Sequence, residues 1–492
     1  MEVLRKFELV ANNKVGYFVL DNASNNDSAI DKIGAELHWQ HPLHRRIRCF
    51  GHVLHLVVRA MLSPKGPDSS NLEDVDPDDF NEWQKRGPVG KLHNLVVWIH
   101  RTNKAMHYLR DQQKNDSDKT FKGTLNVLLD NSTRWLSQYY MIERALKLKP
   151  YLEDLMIEAT RGARSSVSTT CPSCLAPGNL LTAADWDILG WFNDILAEFN
   201  ICLLQLEGDG QARIRKGGVE KEYGSPWRVF SAYERLVKTL KKAKAAAEAS
   251  KRIGSRFYSV CINSALAKLD KYHTKLDETP ILYAATVLHP AMRWSVIKKS
   301  LKKTHPEKLA KAQLLVKTLW VEQYRDFPVE WEIPTSRPTP ANTGDSDTDT
   351  SYDEDIWDSE DENVVVCDEY EKWCETKPAK NTLNNNPLEF WYGNRSEYPR
   401  LARMAIDVLS IPAMSAECER TFSSAGTMVD SKRSRLEAST IAVTQTLRSW
   451  LRAGLVKDEY DGLLHKMDDD SEMAEAMSKL VIDEIAEAID DH

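Results

Sequence analysis

The chain has 492 residues, 42% of them hydrophobic and 28% charged, a balance that excludes a wholly disordered protein and allows roughly two to four domain-sized cores. No apolar run reaches the roughly 18 residues that a membrane-spanning helix needs, and the first residues, MEVLRKFELVANNK, contain no apolar signal region. Eight scattered cysteines make a poor disulfide framework, so a cytosolic or nuclear location is expected.

The net charge of −8 hides a division. Residues 345–362 hold ten acids and no base, and residues 457–492 hold thirteen acids against three lysines. Each stretch therefore carries −10, which leaves the remainder at +12. A basic body with acidic segments suits a phosphate-rich partner; the plainer alternative is that the acidic runs serve solubility.

In chain order, VGYFVL (15–20) reads as a buried strand ending at Asp21, followed by a helix over 23–37 capped by Asn22 or Ser24. Arg46 to Cys49 reads as a second strand leading into the apolar helix HVLHLVVRAML. Residues 64–82, rich in Pro, Asp and Ser, read as a surface loop. Helices are predicted over 88–113, 136–159, 182–206, 226–250, 255–276 and 306–324, with a polar loop at 161–180. Residues 328–366 begin with repeated prolines and run into the acid block, the composition of a disordered linker. Helical patterning returns over 367–456 with Trp373, Trp391 and Trp450, and the tail is acidic.

Several residues carry possible chemistry. Asp21 sits where a strand end can present a carboxylate to a divalent metal, or where the same carboxylate caps the next helix. Cys49 and His52, in RCFGHVLHL, lie three positions apart, as do Cys171 and Cys174 in CPSC. Neither pair has a second pair at suitable spacing, so a structural zinc site is not expected. Arg134 and Trp135, in STRW, can grip phosphate and stack on an unpaired base, although a tryptophan before a helix also serves as a hydrophobic staple. On a helix starting near Ser415, Glu419 and Arg420 precede Ser423 by one turn; a structural ion pair is the ordinary reading. Lys432, Arg433 and Arg435 form a basic cluster that is either solvated surface or a phosphate contact. A further basic stripe is predicted on the helix 235–252.

Taken in this order, DNASNND, CFGH, STRW and PAMSAECERTFSSAG resemble the landmarks of the hAT family of DNA transposases. KLHNLVVWIHRT (91–102), LTAADWDIL (181–189) and LDKYHTKLDETPILYAATVLHP (269–290) are similar to the family's connecting segments. The likeness spans the chain apart from its acidic linker and tail. It implies a helix-dominated α/β protein: an incomplete ribonuclease-H-like fold interrupted by a large all-α insertion, with a C-terminal helical dimerisation region. The implied boundaries are 1–135 for the partial core, 136–327 for the insertion, 328–366 for the linker, 367–456 for the dimerisation region that completes the catalytic fold, and 457–492 for the tail.

The resemblance also implies that three acids hold two metal ions for phosphoryl transfer on DNA. Asp21 matches the second acid and Glu419 the third; both would ligate Mg2+ or Mn2+ in a competent enzyme. His52 matches a position beside that centre, and Trp135 the aromatic that stacks where a base is flipped. Phe422, Leu436, Ile441, Leu447 and Trp450 are the implied dimer contacts. The first catalytic Asp belongs on an earlier strand, and residues 1–20 contain no Asp; the family's N-terminal zinc-finger module is not matched either. The expectation is a nuclear transposase-derived protein that dimerises with itself and binds DNA through Arg134, Trp135, Lys432 and Arg433, with neither transposase activity nor a membrane partner. Two alternatives stay open: an active cut-and-paste transposase whose N-terminus lies outside this sequence, and a host interaction protein that uses only the dimerisation region.

Overall fold

A computed structural model of the chain describes residues 1–11, 14–62, 87–116, 123–130, 136–207, 213–215, 218–220, 225–249, 255–328, 368–378, 386–429 and 437–452. After a short helix α1 (Glu2–Lys6), strand β1 (Phe18–Leu20) pairs in parallel with β2 (Arg46–Arg48), Val19 lying opposite Ile47. Parallel neighbours need a crossover, which α2 (Ser24–Glu36) provides. Gly34 makes the return of that crossover possible: a β-carbon there would lie 2.5 Å from the Pro42 Cγ.

Helix α3 (Phe50–Leu62) follows β2 directly and buries Phe50, Val53, Leu54, Val57, Val58 and Met61. The helix predicted over 88–113 breaks at Thr102 into α4 (Pro88–Arg101) and α5 (Asn103–Asn115), because the Thr102 backbone is extended (φ −118°, ψ 96°). That predicted over 136–159 breaks at Leu148 into α6 (Ser137–Lys147) and α7 (Lys149–Ala159). Pro150 is tolerated in the first turn of a helix and not in its interior, so a new helix must start there. The 25-residue α8 (Ala183–Glu207) is uninterrupted. A hairpin of β3 (Arg213–Arg215) and β4 (Gly218–Glu220) interrupts the expected all-helical stretch. Next come α9 (Val229–Ala249) and α10 (Ser255–Thr274).

Two helices were not legible in the sequence. All eight residues of α11 (Ile281–Leu288) are buried, so it has no apolar face and hence no period. Helix α12 (Arg293–Thr304) follows the turn at His289–Pro290. Then come α13 (Pro306–Gln323), α14 (Glu369–Glu375), α15 (Pro387–Gly393), α16 (Pro399–Leu409), α17 (Ala416–Met428) and α18 (Ala438–Arg452). The fold is dominated by helices, and the described strands form only two two-stranded sheets. No helix among the described residues is long and apolar enough to cross a membrane.

The described residues sort into two compact units: 1–279 with 411–452, and 280–410. In the first, α3 packs on α8 and α10, and Phe50 meets Tyr233 of α9 edge-on at 4.9 Å. In the second, two tryptophans solve a helix-end problem. The last carbonyls of a helix lack intrahelical partners; here the Trp373 indole N–H donates to Val287 O at 3.1 Å and that of Trp391 to Leu288 O at 2.7 Å. The two rings lie 4.4 Å apart. The Arg293 guanidinium covers Trp373 and donates to its carbonyl at 2.6 Å; burial pulls its pKa down to about 10.

Gly34→Ala is expected to lower stability by about 1–3 kcal/mol, since the Pro42 ring must give way in a packed interface; denaturant unfolding of the two proteins checks this.

Candidate functional site

The site is assembled where β1, β2 and α3 meet the start of α17. Asp21 is the first residue after β1, and its Oδ1 accepts the Ala23 N–H at 3.0 Å and the Asn26 side-chain amide at 2.6 Å. The N-cap position of α2 is Ala23 and no side chain caps the helix, so the cap is neither Asn22 nor Ser24 as expected; Asp21 instead accepts the N–H of the N-cap residue itself. Arg46, on β2, is 3% exposed and donates to the Asp21 carbonyl at 2.8 Å and the Ala23 carbonyl at 3.2 Å, while pairing with Asp27. Burial pulls its pKa down to about 10. Beside it, Arg48 pairs with Glu278 at 2.8 Å. Strand β2 therefore holds the strand-end loop by its backbone, leaving the Asp21 carboxylate to set the start of α2.

Cys49 links three chain segments. Its N–H donates to Leu20 O at 2.7 Å, the next residue's N–H donates to Ala413 O at 3.1 Å, and its sulfur accepts the Ser415 N–H at 3.4 Å. Its thiol is fully buried and pushed above its ordinary pKa, chiefly by that burial. Cys49 is a structural knot, and the paired metal-ligand reading of Cys49 with His52 has no support in this geometry. The other pair, Cys171 and Cys174, are free thiols, one exposed and one buried.

Hooked onto Cys49, residues 413–416 carry α17 in, and Glu419 comes half-buried into electrostatic reach of Asp21. Burial, then repulsion by Asp21, pushes the Glu419 carboxyl above its usual range. His52, in the first turn of α3, is also half-buried; burial lowers its pKa while Asp21 raises it. Asp21, His52 and Glu419 are thus brought to one place from sequence positions up to 398 apart. Sequence reading missed Arg46, Asn26 and Ser415. Nothing in RRIRC marks an arginine as buried, and Ser415 acts through its backbone, which no motif records.

Among the described residues, no three His, Cys, Asp or Glu side chains converge so as to hold a metal ion. One Asp21 oxygen is already bound to two protein donors. This donor set does not fit a two-ion cluster.

The expected DNA contacts Arg134, Trp135, Lys432 and Arg433, the expected dimer contact Leu436, and the acidic tail lie outside the described residues, as do nearly all of the acidic linker and the side chains of Arg420 and Ser423. Helices α17 and α18 pack on each other through polar contacts: Gln445 donates to Ser424 Oγ at 3.2 Å, and Arg448 bonds to the same oxygen. Both helices also expose large apolar side chains. Phe422 on α17 is 76% exposed and Val429, the residue that caps its end, 46%; Val443 and Trp450, 43% and 51% exposed, stand seven residues apart on α18, so each helix with its cap carries a short apolar stripe. Ile441 and Leu447 are half-buried.

Two family descriptions match this chain: the hAT family C-terminal dimerisation region over residues 369–451, and the ZBED1 RNase-like helical domain over 47–172. The chain is 24% identical over 184 residues to the zinc finger BED domain-containing protein DAYSLEEPER of Arabidopsis thaliana, a stretch covering 37% of this chain and 25% of that protein. It is 28% identical over 127 residues to a Zea mays protein named for the AC transposase, 24% of this chain and 16% of that protein. These matches make the chain similar to hAT-type transposases, with a stretch matching their C-terminal dimerisation region. The matched stretches span a quarter or less of the length of these relatives. The hAT dimerisation match takes in α14 to α18, so Glu419 and both exposed stripes fall inside it, while His52 falls in the helical-domain match.

Asp21→Asn is expected to lower the His52 pKa further and to bring that of Glu419 down towards the usual range, since the Asp21 anion raises both; NMR titration of labelled imidazole and carboxyl groups reads both. A carboxyl raised in the folded state binds its proton more tightly there than in the unfolded chain. Wild-type stability should therefore fall as pH rises from the usual glutamate value through the folded Glu419 pKa. In Glu419→Gln that segment of the pH–stability curve flattens, and at neutral pH the variant should unfold no more readily than wild type.

Proposed function

We propose that this chain is a transposase-derived nuclear protein that self-associates through α17 and α18 and binds DNA without cutting it. The carrying observation is the pair of apolar stripes, Phe422 with Val429 and Val443 with Trp450, left exposed inside the segment that matches a dimerisation region. Large apolar side chains repeated along two adjacent helices have a reason to stay in water only if another surface covers them. Tryptophan at the centre of such a patch supplies much of an interface's binding energy. A second copy of the chain offers the same stripes, as a two-fold interface requires.

The catalytic part of the reading rests on the donor set. A β1–α2–β2 unit with Asp21 at the strand end, and α17 returning Glu419 to it, supports a ribonuclease-H-like ancestry for the first unit. Two-metal transfer requires carboxylates that share their charge with bound ions. Here one Asp21 oxygen is engaged by Ala23 and Asn26, and the ionised form of Glu419 is disfavoured by burial and by its like-charged neighbour. With Mg2+ or Mn2+ bound, such a centre would polarise phosphate and water; these residues hold too few oxygens for two ions. DNA affinity is proposed from the basic body and from the exposed Lys238, Lys241 and Lys242 on α9.

Val443→Asp combined with Trp450→Ser is expected to weaken self-association at least tenfold, about 1.4 kcal/mol, with the monomer gaining in sedimentation velocity runs; an unchanged distribution removes α18 from the interface. Incubated with duplex DNA and Mg2+ or Mn2+, wild type and Glu419→Gln should leave strands equally intact on a denaturing gel. Cleavage by wild type that the variant lacks overturns the non-cutting reading.

A further inference from the structure

We infer that the lysine face of α12 is a docking surface for the DNA phosphate backbone, separate from α9 and from the Asp21 site. Helix α12, RWSVIKKSLKKT, has five basic residues and no acid. One side of it buries Trp294, Ile297 and Leu301 in the second unit, and the opposite side exposes Ser295, Lys298, Lys299 and Lys302. Like charges one turn apart oppose a helix, and at three lysines elsewhere the chain offsets the charge with an acid on the same helix. Lys147 pairs with Glu143, Lys149 with Glu153, and Lys244 of the α9 stripe with Glu248. No ion pair among the described residues involves Lys298, Lys299 or Lys302. The imbalance extends beyond the helix, since residues 280–328 hold nine bases against three acids.

Part of this placement follows from the helix dipole, which favours cations in the last turn. Lys298 and Lys299 stand before that turn and are not accounted for by it. Three ammonium groups along one exposed ridge match a row of phosphates, which lysine contacts as a point charge without reading sequence. The occupant is therefore duplex DNA, bound through its backbone and without base preference. The inference rests on the DNA-binding reading above and adds the surface that makes the contact.

The test measures binding of the full chain to a random-sequence duplex by fluorescence anisotropy across a NaCl series. Each neutralised phosphate contributes about 0.9 to the slope of log K against log salt. The triple variant Lys298→Gln, Lys299→Gln and Lys302→Gln should thus lose about 2.7 of the wild-type slope, with its thermal unfolding unchanged because all three side chains are exposed. The matching triple substitution to Arg should keep the slope. Wild-type binding with an undiminished slope in the Gln variant overturns the α12 assignment alone, and loss of slope in the Arg variant overturns it too, since charge would not be the cause. Wild-type protein that shows no salt-dependent binding overturns the DNA reading itself and this inference with it.

Discussion

The first unit depends on one junction, the four residues 46–49 of β2 and its exit into α3. Into it come the edge of β1, through Leu20 O, and the returning segment 413–415, through two backbone N–H···acceptor contacts. The departing chain is anchored there as well. Thr279 donates its hydroxyl to His44 O at 2.7 Å, and Glu278 holds Arg48. Residues 278–279 and 413–415, the parts of the first unit that flank the second in sequence, are thus both held to one short stretch of backbone, which keeps Asp21 and Glu419 together across the intervening 131 residues. A loop is held shut at little entropic cost once both ends are fixed by buried hydrogen bonds.

The same junction creates the electrostatic tension at the site. Bringing α17 to the end of β1 places a second carboxylate in the reach of the first, in a half-buried setting where desolvation already disfavours charge. His52 feels the same anion, which raises its pKa against the lowering by burial. A fold whose only task was stability would gain by replacing either acid.

The second unit has its own organising contact, the stack of Arg293, Trp373 and Trp391 over the end of α11. Indole N–H groups complete the helix end, the rings exclude water, and the guanidinium is held by carbonyls, the Thr376 hydroxyl and a π-face. With its core settled by aromatics, this unit is free to carry a purely basic helix on its surface. The exposed apolar side chains of α17 and α18 belong to the first unit, and exposed lysines occur in both, on α9 of the first and α12 of the second.

Strand ends, helix types and the ordered motifs were legible in the sequence, because hydrophobic period and turn chemistry are local. VGYFVL–Asp21 and CFGH fell at a strand end and a helix start, and the family likeness followed from their order. Pro150 likewise marked the break at Leu148 locally. Two things were not so marked. Helix α11 is apolar all round, so period could not mark it. Cys49 became a hydrogen-bond knot only because the segment bearing Ser415 arrived beside it. A sequence orders its chemical groups along a line, whereas their protonation and partners depend on distances across space; only the folded junction decided those.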